Sequence, residues 1–217
     1  MVPVGSPYVR RHLERLLSVA RFSSDRRILE VGAGLGRYTL PLLERGFAVT
    51  ALDLSPVLLD KLHARATGYD LRTVACDIAD VANHVDERFS QAAGFFTLHH
   101  MHDLGLVMRA LASVLAPGAR VAFCEPNGFN PLFYAQILLT PGMTWRGDGG
   151  VSRMRPRVVL GAMEQAGFGE LGVERFGLFP PFIFNRRWGG WLEQRLDPVL
   201  PVRWLRTFQV FHGTLEG

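Results

Sequence analysis

Lysine is almost missing from this chain. Lys61 is the only one, and arginine supplies the rest of the 24 basic residues. Those arginines are spread along the whole length. A net charge of +4 and a pI near 9.6 therefore read as an arginine bias on solvated faces. A nucleic-acid binder gathers its charge in a patch or stripe, and none is visible here. Cysteine is scarce as well. Cys76 and Cys124 lie far apart, each at the end of a predicted strand. They read as buried thiols in a reducing compartment, the cytoplasm. Two cysteines hold neither a zinc knuckle nor an iron–sulfur cluster, so cluster-based radical chemistry is excluded. Long apolar runs are absent too. The longest uncharged stretch, Pro126 to Trp145, is interrupted by Asn127, Asn130, Pro131 and Pro141, which argues against a membrane span. Met1 to Pro7 is short and has no apolar core, so no signal peptide is expected.

What remains is a chain of 217 residues with 48% hydrophobic content, enough for one well-filled core and a single domain over residues 1–217. The spacing predicts a helix over Pro7 to Ala20, with Leu13, Leu16, Leu17 and Ala20 on one face. Strands follow at Arg26 to Val31, Ala48 to Leu52, Leu71 to Ala75, Ala92 to Thr97 and Arg120 to Cys124. Between them lie helices over Arg37 to Arg45, Pro56 to about Ala66 and Leu104 to Leu115, the last stopped by Pro117-Gly118, and an irregular helical segment after the third strand. Ser55 and Pro56 are a cap and a first-turn proline. This alternation predicts an α/β fold with a doubly wound, mostly parallel sheet. A helix over Pro156 to Ala166 and strands over Glu170 to Phe176 and Arg206 to Phe211 complete the pattern. The last residues, Thr214-Leu215-Glu216-Gly217, are set outside the fold as a segment that could include a cloning remnant.

Chemistry concentrates at the strand ends. Ile28-Leu29-Glu30-Val31 runs into Gly32, Gly34 and Gly36. Such glycines permit a tight turn and a close approach of ligand to backbone. Asp53 ends the next strand, where a carboxylate can accept two ribose hydroxyls. Cys76-Asp77-Ile78 follows the third, where an acid can accept an adenine amino group. Each feature alone reads blandly, as a turn or a helix cap. Three in order, at the carboxyl ends of successive strands, read as a ligand site.

The run from Ile28 to Leu62, then Asp77, then Phe95-Phe96-Thr97-Leu98-His99-His100 resembles the class I, Rossmann-like, S-adenosylmethionine (SAM)-dependent methyltransferases. It is similar to their small-molecule branch of the ubiquinone/menaquinone type, over Arg26 to Phe176. The resemblance implies a seven-stranded sheet with an antiparallel last strand and SAM as cofactor, released as S-adenosylhomocysteine. It also implies roles. Glu30, Gly32, Gly34 and Gly36 would line the methionine and ribose portion. Asp53 would bind the ribose, and Leu54 would pack on the adenosine. Asp77 and Ile78 would flank the adenine, and Phe96 and Thr97 would lie under the sulfonium.

A nicotinamide oxidoreductase is the rival reading. Its GxGxxG fingerprint needs glycine where Arg37 stands, and it leaves Asp77 without a role. Methylation of a nucleic-acid amine calls for an Asn or Asp with Pro-Pro and an aromatic after the fourth strand. Thr97-Leu98-His99-His100 stands there instead. A non-catalytic SAM-binding or membrane-associated module is the third reading.

His99 and His100 are the candidate catalytic bases, with His102 behind them; bracing the loop by hydrogen bonds is an equal alternative. No metal is expected, since Asp103 is the one carboxylate near them in sequence. Glu125 and Asn127 either touch the acceptor or tie the loop. Two inserts, at about 126–152 and 177–205, hold Phe129, Phe133, Tyr134, Trp145, Phe179, Phe182 and Phe184. They are expected to cover a small, apolar or aromatic acceptor, with a helix over Pro131 to Thr140 in the first; for any single one of these aromatics, a satellite core under a long loop is the stronger alternative. Arg186 and Arg187 beside Trp188 and Trp191 would suit anionic lipid headgroups.

Overall fold

The computed structural model describes residues 5–131, 134, 149–179, 184, 186, 188–197 and 206–217. Seven strands form one sheet: β1 (Ile28–Val31), β2 (Val49–Asp53), β3 (Leu71–Ala75), β4 (Phe89–Phe95), β5 (Leu115–Pro126), β6 (Phe168–Phe176) and β7 (Phe208–Leu215). Their order is β3-β2-β1-β4-β5-β7-β6. The first five pair in parallel, and β7 lies antiparallel between β5 and β6.

Helices α1 (Pro7–Ala20), α2 (Thr39–Glu44) and α3 (Pro56–Arg65) cover one face, and α4 (Leu104–Ser113) and α5 (Pro156–Gln165) the other. A further helix, α6 (Gly189–Leu196), lies in the second insert. Strand alternation feeds both cores. On β1, Ile28 joins the α1 side while Leu29 and Val31 join the α4 side. Glu30 therefore points with Ile28, into the face that α1 to α3 cover.

Caps set the helix starts. The Ser6 hydroxyl accepts from the Val9 N–H at 3.3 Å and the Ser55 hydroxyl from the Leu58 N–H at 3.4 Å, each followed by a first-turn proline.

Two expectations need correction. The helix before β5 ends at Ser113, and the strand begins already at Leu115. Phe89 pairs with Leu115 and Gln91 with Arg120, so Pro117-Gly118 sits in an irregularity of the ladder rather than ahead of it. The last strand runs later than Arg206 to Phe211. Thr214 pairs with Arg120 and with Gly169, and Leu215 with Phe168, so both belong to the sheet. The periodic signal faded there because β7 is buried on both faces until Phe211 and half-exposed afterwards. The expected helix over Pro131 to Thr140 lies largely outside the described residues.

Candidate functional site

The carboxyl ends of β1 to β4 open into a cavity of about 670 Å³. Gly32, Asp53, Leu54, Asp77, Ile78, Phe96 and Thr97 stand in its wall, as do His100, Met101, His102, Asp103 and Leu106. Seven of the residues singled out for the cofactor thus meet in one space. Glu30, Gly34 and Gly36 stand behind that wall.

The glycine turn is held by contacts that only glycine allows. Gly32 has φ +74°, and a Cβ there would lie 2.1 Å from the Thr97 Oγ1. Gly36 has φ +80°, and a Cβ would meet Leu62 of α3 at 2.3 Å. Its role is close packing of turn against helix. Gly34 reaches the site through its N–H, which donates to the Asp53 Oδ2 at 2.8 Å. The other oxygen of Asp53 accepts the Ser55 N–H at 2.9 Å. The carboxylate is thus fixed from both sides, with a lone pair left on each oxygen for a ligand hydroxyl. Asp53 is the last residue of β2, at the strand end where the sequence put it, and a tie between two turns.

Asp77 is a cap that also stands in the cavity wall. Its Oδ1 accepts the Ala79 N–H at 3.0 Å, capping the 3₁₀ turn Ile78–Asn83, and its side chain faces the cavity. Leu54 is an apolar side chain left 72% exposed at the mouth. Behind the turn, Glu30 is buried, and its Oε2 has no hydrogen-bond partner among the described residues. Burial pushes its carboxyl up to about 7, Asp53 adds to the rise, and the Thr39 hydroxyl opposes it.

The two candidate bases separate. His100 lines the cavity. His99 does not; it is buried, with Nδ1 2.7 Å from the Glu125 Oε2. Glu125, fully buried, also accepts the Thr97 and Leu98 N–H groups on Oε1 at 2.8 and 2.7 Å. His99 and Glu125 therefore brace the loop after β4, the bland alternative for both. Arg153, which the sequence reading missed, ties the same loop from above by donating to the His99 and Met101 carbonyls. Asn127 ties its own loop, donating to the Arg206 carbonyl at 2.7 Å and accepting the Phe129 N–H at 3.1 Å.

The aromatic residues divide as well. Phe184 is buried against Tyr8 of α1. Phe129 is half-exposed under the guanidinium groups of Arg155 and Arg175. The Tyr134 hydroxyl donates to the Gly128 carbonyl. Phe133, Trp145 and Phe182 lie outside the described residues. Among the described residues no group of three or more His, Cys, Asp or Glu is placed to hold a metal ion, and no helix is long and apolar enough to cross a membrane.

The sequence reading also passed over His12, buried on α1 in contact with Phe96. Its signal was visible: it falls on the apolar face, three residues after Val9 and four before Leu16.

A sheet of this order, with a glycine turn after β1 and acids after β2 and β3, defines a Rossmann-like methyltransferase of class I. The comparisons agree. A family model described as a methyltransferase domain matches residues 6–169, and the chain belongs to that family. A SAM-dependent methyltransferase from Archaeoglobus fulgidus has a similar fold, with a TM-score of 0.68 at 12% identity, covering 95% of this chain and 94% of that one. The N-methyltransferase NodS from Bradyrhizobium japonicum, solved with S-adenosylhomocysteine, gives a TM-score of 0.64 at 14% identity over 98% of this chain and 90% of its own. In sequence, the ubiquinone biosynthesis O-methyltransferase of Aeromonas salmonicida is 28% identical over 116 residues, 52% of this chain. The chain spans about half the length of that relative, 48%.

Proposed function

We propose that the chain binds SAM in the cavity at the ends of β1 to β4 and transfers its methyl group to a small, apolar or aromatic acceptor, at an oxygen. The observation that carries this is the set of opposed fittings in one wall. An oriented carboxylate with free lone pairs, Asp53, stands beside an uncovered apolar side chain, Leu54, and across from Asp77 and Ile78. A nucleoside needs that mixture: hydroxyls on an acid, an amino group on another acid, and a flat apolar ring to cover. Glu30, whose Oε2 has no hydrogen-bond partner among the described residues, adds an acceptor for an ammonium group behind the glycine turn. The choice of oxygen follows the name of the Aeromonas relative and the aromatic surroundings of the acceptor side.

SAM, when bound, supplies an already activated methyl group. The chain is left to orient, to exclude water and to accept a proton. Gly32, Gly34 and Gly36 shape the turn, Asp53 would hold the ribose, and Leu54, Asp77 and Ile78 would hold the adenine. Phe96 and Thr97 would face the reacting end, held there by Glu125 and His99. His100 is the base candidate that faces the cavity.

In this reading residues 1–217 act as one domain, with the inserts at 126–152 and 177–205 covering the acceptor. Phe184 on Tyr8, and the ion pair between Arg11 of α1 and Glu193 of α6, support it by fastening the second insert to α1. Trp188 and Trp191 are 56% and 59% exposed, with Arg195 over the Trp191 ring. That surface suits peripheral contact with a membrane holding an apolar acceptor. Cys76 and Cys124 are free and buried, which suits a reducing cytoplasm.

Calorimetry tests the core of the proposal. S-adenosylhomocysteine should give saturable heat and NADH none. Heat with NADH alone would replace this reading with an oxidoreductase.

A further inference from the structure

Behind Phe96, away from the cavity, the α1 side holds a box of rings around one imidazole. His12 is 1% exposed. The rings of Tyr8 and Phe208 lie 4.4 Å from it, Phe96 at 5.2 Å and Phe176 at 5.6 Å, all edge-to-face. Its Nδ1 is 3.3 Å from the Tyr38 hydroxyl. Its Nε2 is buried and has no hydrogen-bond partner among the described residues. An apolar box is stabilised by leucine or phenylalanine, whereas a buried ring nitrogen without a partner costs stability. Such a group calls for an explanation beyond packing.

Phe96 links this imidazole to the cavity. It lines the cavity wall and packs on His12 at once. It also holds φ +54°, the left-handed region, where a bulky L residue is strained. Strain of this kind is stored where the surrounding structure can switch or clamp.

We propose that His12 is a catalytic residue of the acceptor site, and that a flat acceptor moves Phe96 aside and places its hydroxyl on Nε2, with Tyr38 holding the imidazole in register. The inference rests on the reading of the cavity as the SAM site. In the transfer, the acceptor oxygen bonds to the methyl carbon. The carbon–sulfur bond breaks with its electron pair left on sulfur, and the hydroxyl proton passes to Nε2. Among the described groups around the imidazole, Arg11 and Arg37 are cationic neighbours that disfavour its protonated form, a backbone hydrogen bond to Tyr8 favours it, and the Tyr38 hydroxyl approaches Nδ1. Burial, with help from Arg11 and Arg37, holds the imidazole down to about 3, so it is neutral and a weak base, and it takes the proton as the oxygen–methyl bond forms and the hydroxyl becomes strongly acidic. The edge-to-face rings fit a planar phenol or catechol better than a bulky aliphatic alcohol.

The experiment uses the full chain labelled with ¹⁵N-histidine, saturated with S-adenosylhomocysteine and titrated with catechol. The His12 side-chain nitrogens, assigned by their loss in His12→Phe, should shift with saturation. In turnover with SAM, His12→Phe should lower kcat on catechol by about a hundredfold or more, the usual range for a lost proton acceptor. Its affinity for S-adenosylhomocysteine should stay within about threefold. Tyr38→Phe should lower kcat by about tenfold and leave the His12 titration visible. His12 nitrogens that ignore catechol in the wild-type protein would overturn the inference without any variant needing to fold. So would a His12→Phe enzyme that turns over within threefold of wild type. Absence of S-adenosylhomocysteine binding in the wild type would remove the cofactor reading beneath it, and is a separate result.

Discussion

The two flanks of Phe96, the cavity wall on one side and the α1 box on the other, handle polarity in opposite ways. Along β1 to β3, most polar side chains are already tied to backbone. Asp53 holds two N–H groups and Asp77 caps a turn, so the surface is rigid before a ligand binds. On the α1 side one polar atom waits: His12 offers a buried Nε2 with no hydrogen-bond partner among the described residues, inside rings that touch it edge-on. Preorganised carboxylates suit a ligand of constant shape, since binding then costs little reordering. An aromatic box that must part suits a ligand that arrives second.

The sharpest way to break that contrast is at Gly32. A Cβ there collides with Thr97 Oγ1, and φ +74° adds strain for any L residue. Gly32→Ala should weaken S-adenosylhomocysteine by more than about a hundredfold, or roughly 3 kcal/mol. Isothermal titration reads it directly. Affinity near wild type would show that the cofactor does not use this turn.

Next in size is Glu125, which holds the loop after β4. It accepts from two N–H groups and from His99 in a fully buried position. Glu125→Ala would leave those donors unpaired, so urea unfolding should show a loss of about 3 kcal/mol. A loss below about 0.5 kcal/mol would mean the loop after β4 is held by Arg153 and packing alone.

These two flanks also differ in how far the sequence revealed them. Local order is written locally. Gly32, Gly34 and Gly36 after an apolar run, Asp53 after the next, and Ser55-Pro56 at a helix start each carry their meaning within a few residues, and the parallel pairing of the first strands followed from the alternation. The α1 flank is assembled from Tyr8, His12, Tyr38, Phe96, Phe176 and Phe208, residues 200 positions apart at the extremes. Each one alone reads as core. The pairing of His99 with Glu125 was hidden for the same reason, 26 residues of separation across β4 and β5. The later start of β7 was missed because burial, not alternation, marks its first half.

Asp53 sharpens the comparison at moderate cost. Its substitution removes the proposed ribose contact and two structural hydrogen bonds together. Asp53→Ala should weaken S-adenosylhomocysteine at least about tenfold and also lower stability by about 1–2 kcal/mol. Asp53→Asn keeps one acceptor oxygen and should recover part of the stability but little of the affinity. A full loss of affinity at unchanged stability would show that Gly34 and Ser55 do not depend on this carboxylate.

The smallest expected effect sets one titrating group of each flank against the other. Glu30, on the cofactor flank, is raised from an ordinary 4.5 to about 7 by burial and by Asp53. Between those values the folded state holds a proton that the unfolded state has released, so Glu30 adds stability as pH falls from 7 to 4.5. His12, on the acceptor flank, is lowered from 6.5 to about 3 by burial and by Arg11 and Arg37. Between those values the unfolded state holds the extra proton, so His12 removes stability as pH falls from 6.5 to 3. From 6.5 to 4.5 the two effects oppose each other at up to about 1.4 kcal/mol per pH unit each. The measurement is urea unfolding at pH 6.5, 5.5 and 4.5, read as the difference between each variant and wild type so that other carboxylates cancel. His12→Phe should gain on wild type by up to about 1 kcal/mol per unit as pH falls, and Glu30→Gln should lose on it by a similar slope. If the His12→Phe difference is flat over this range, the imidazole is already solvated or protonated in the folded protein, and the α1 flank is not the dry box that its rings describe.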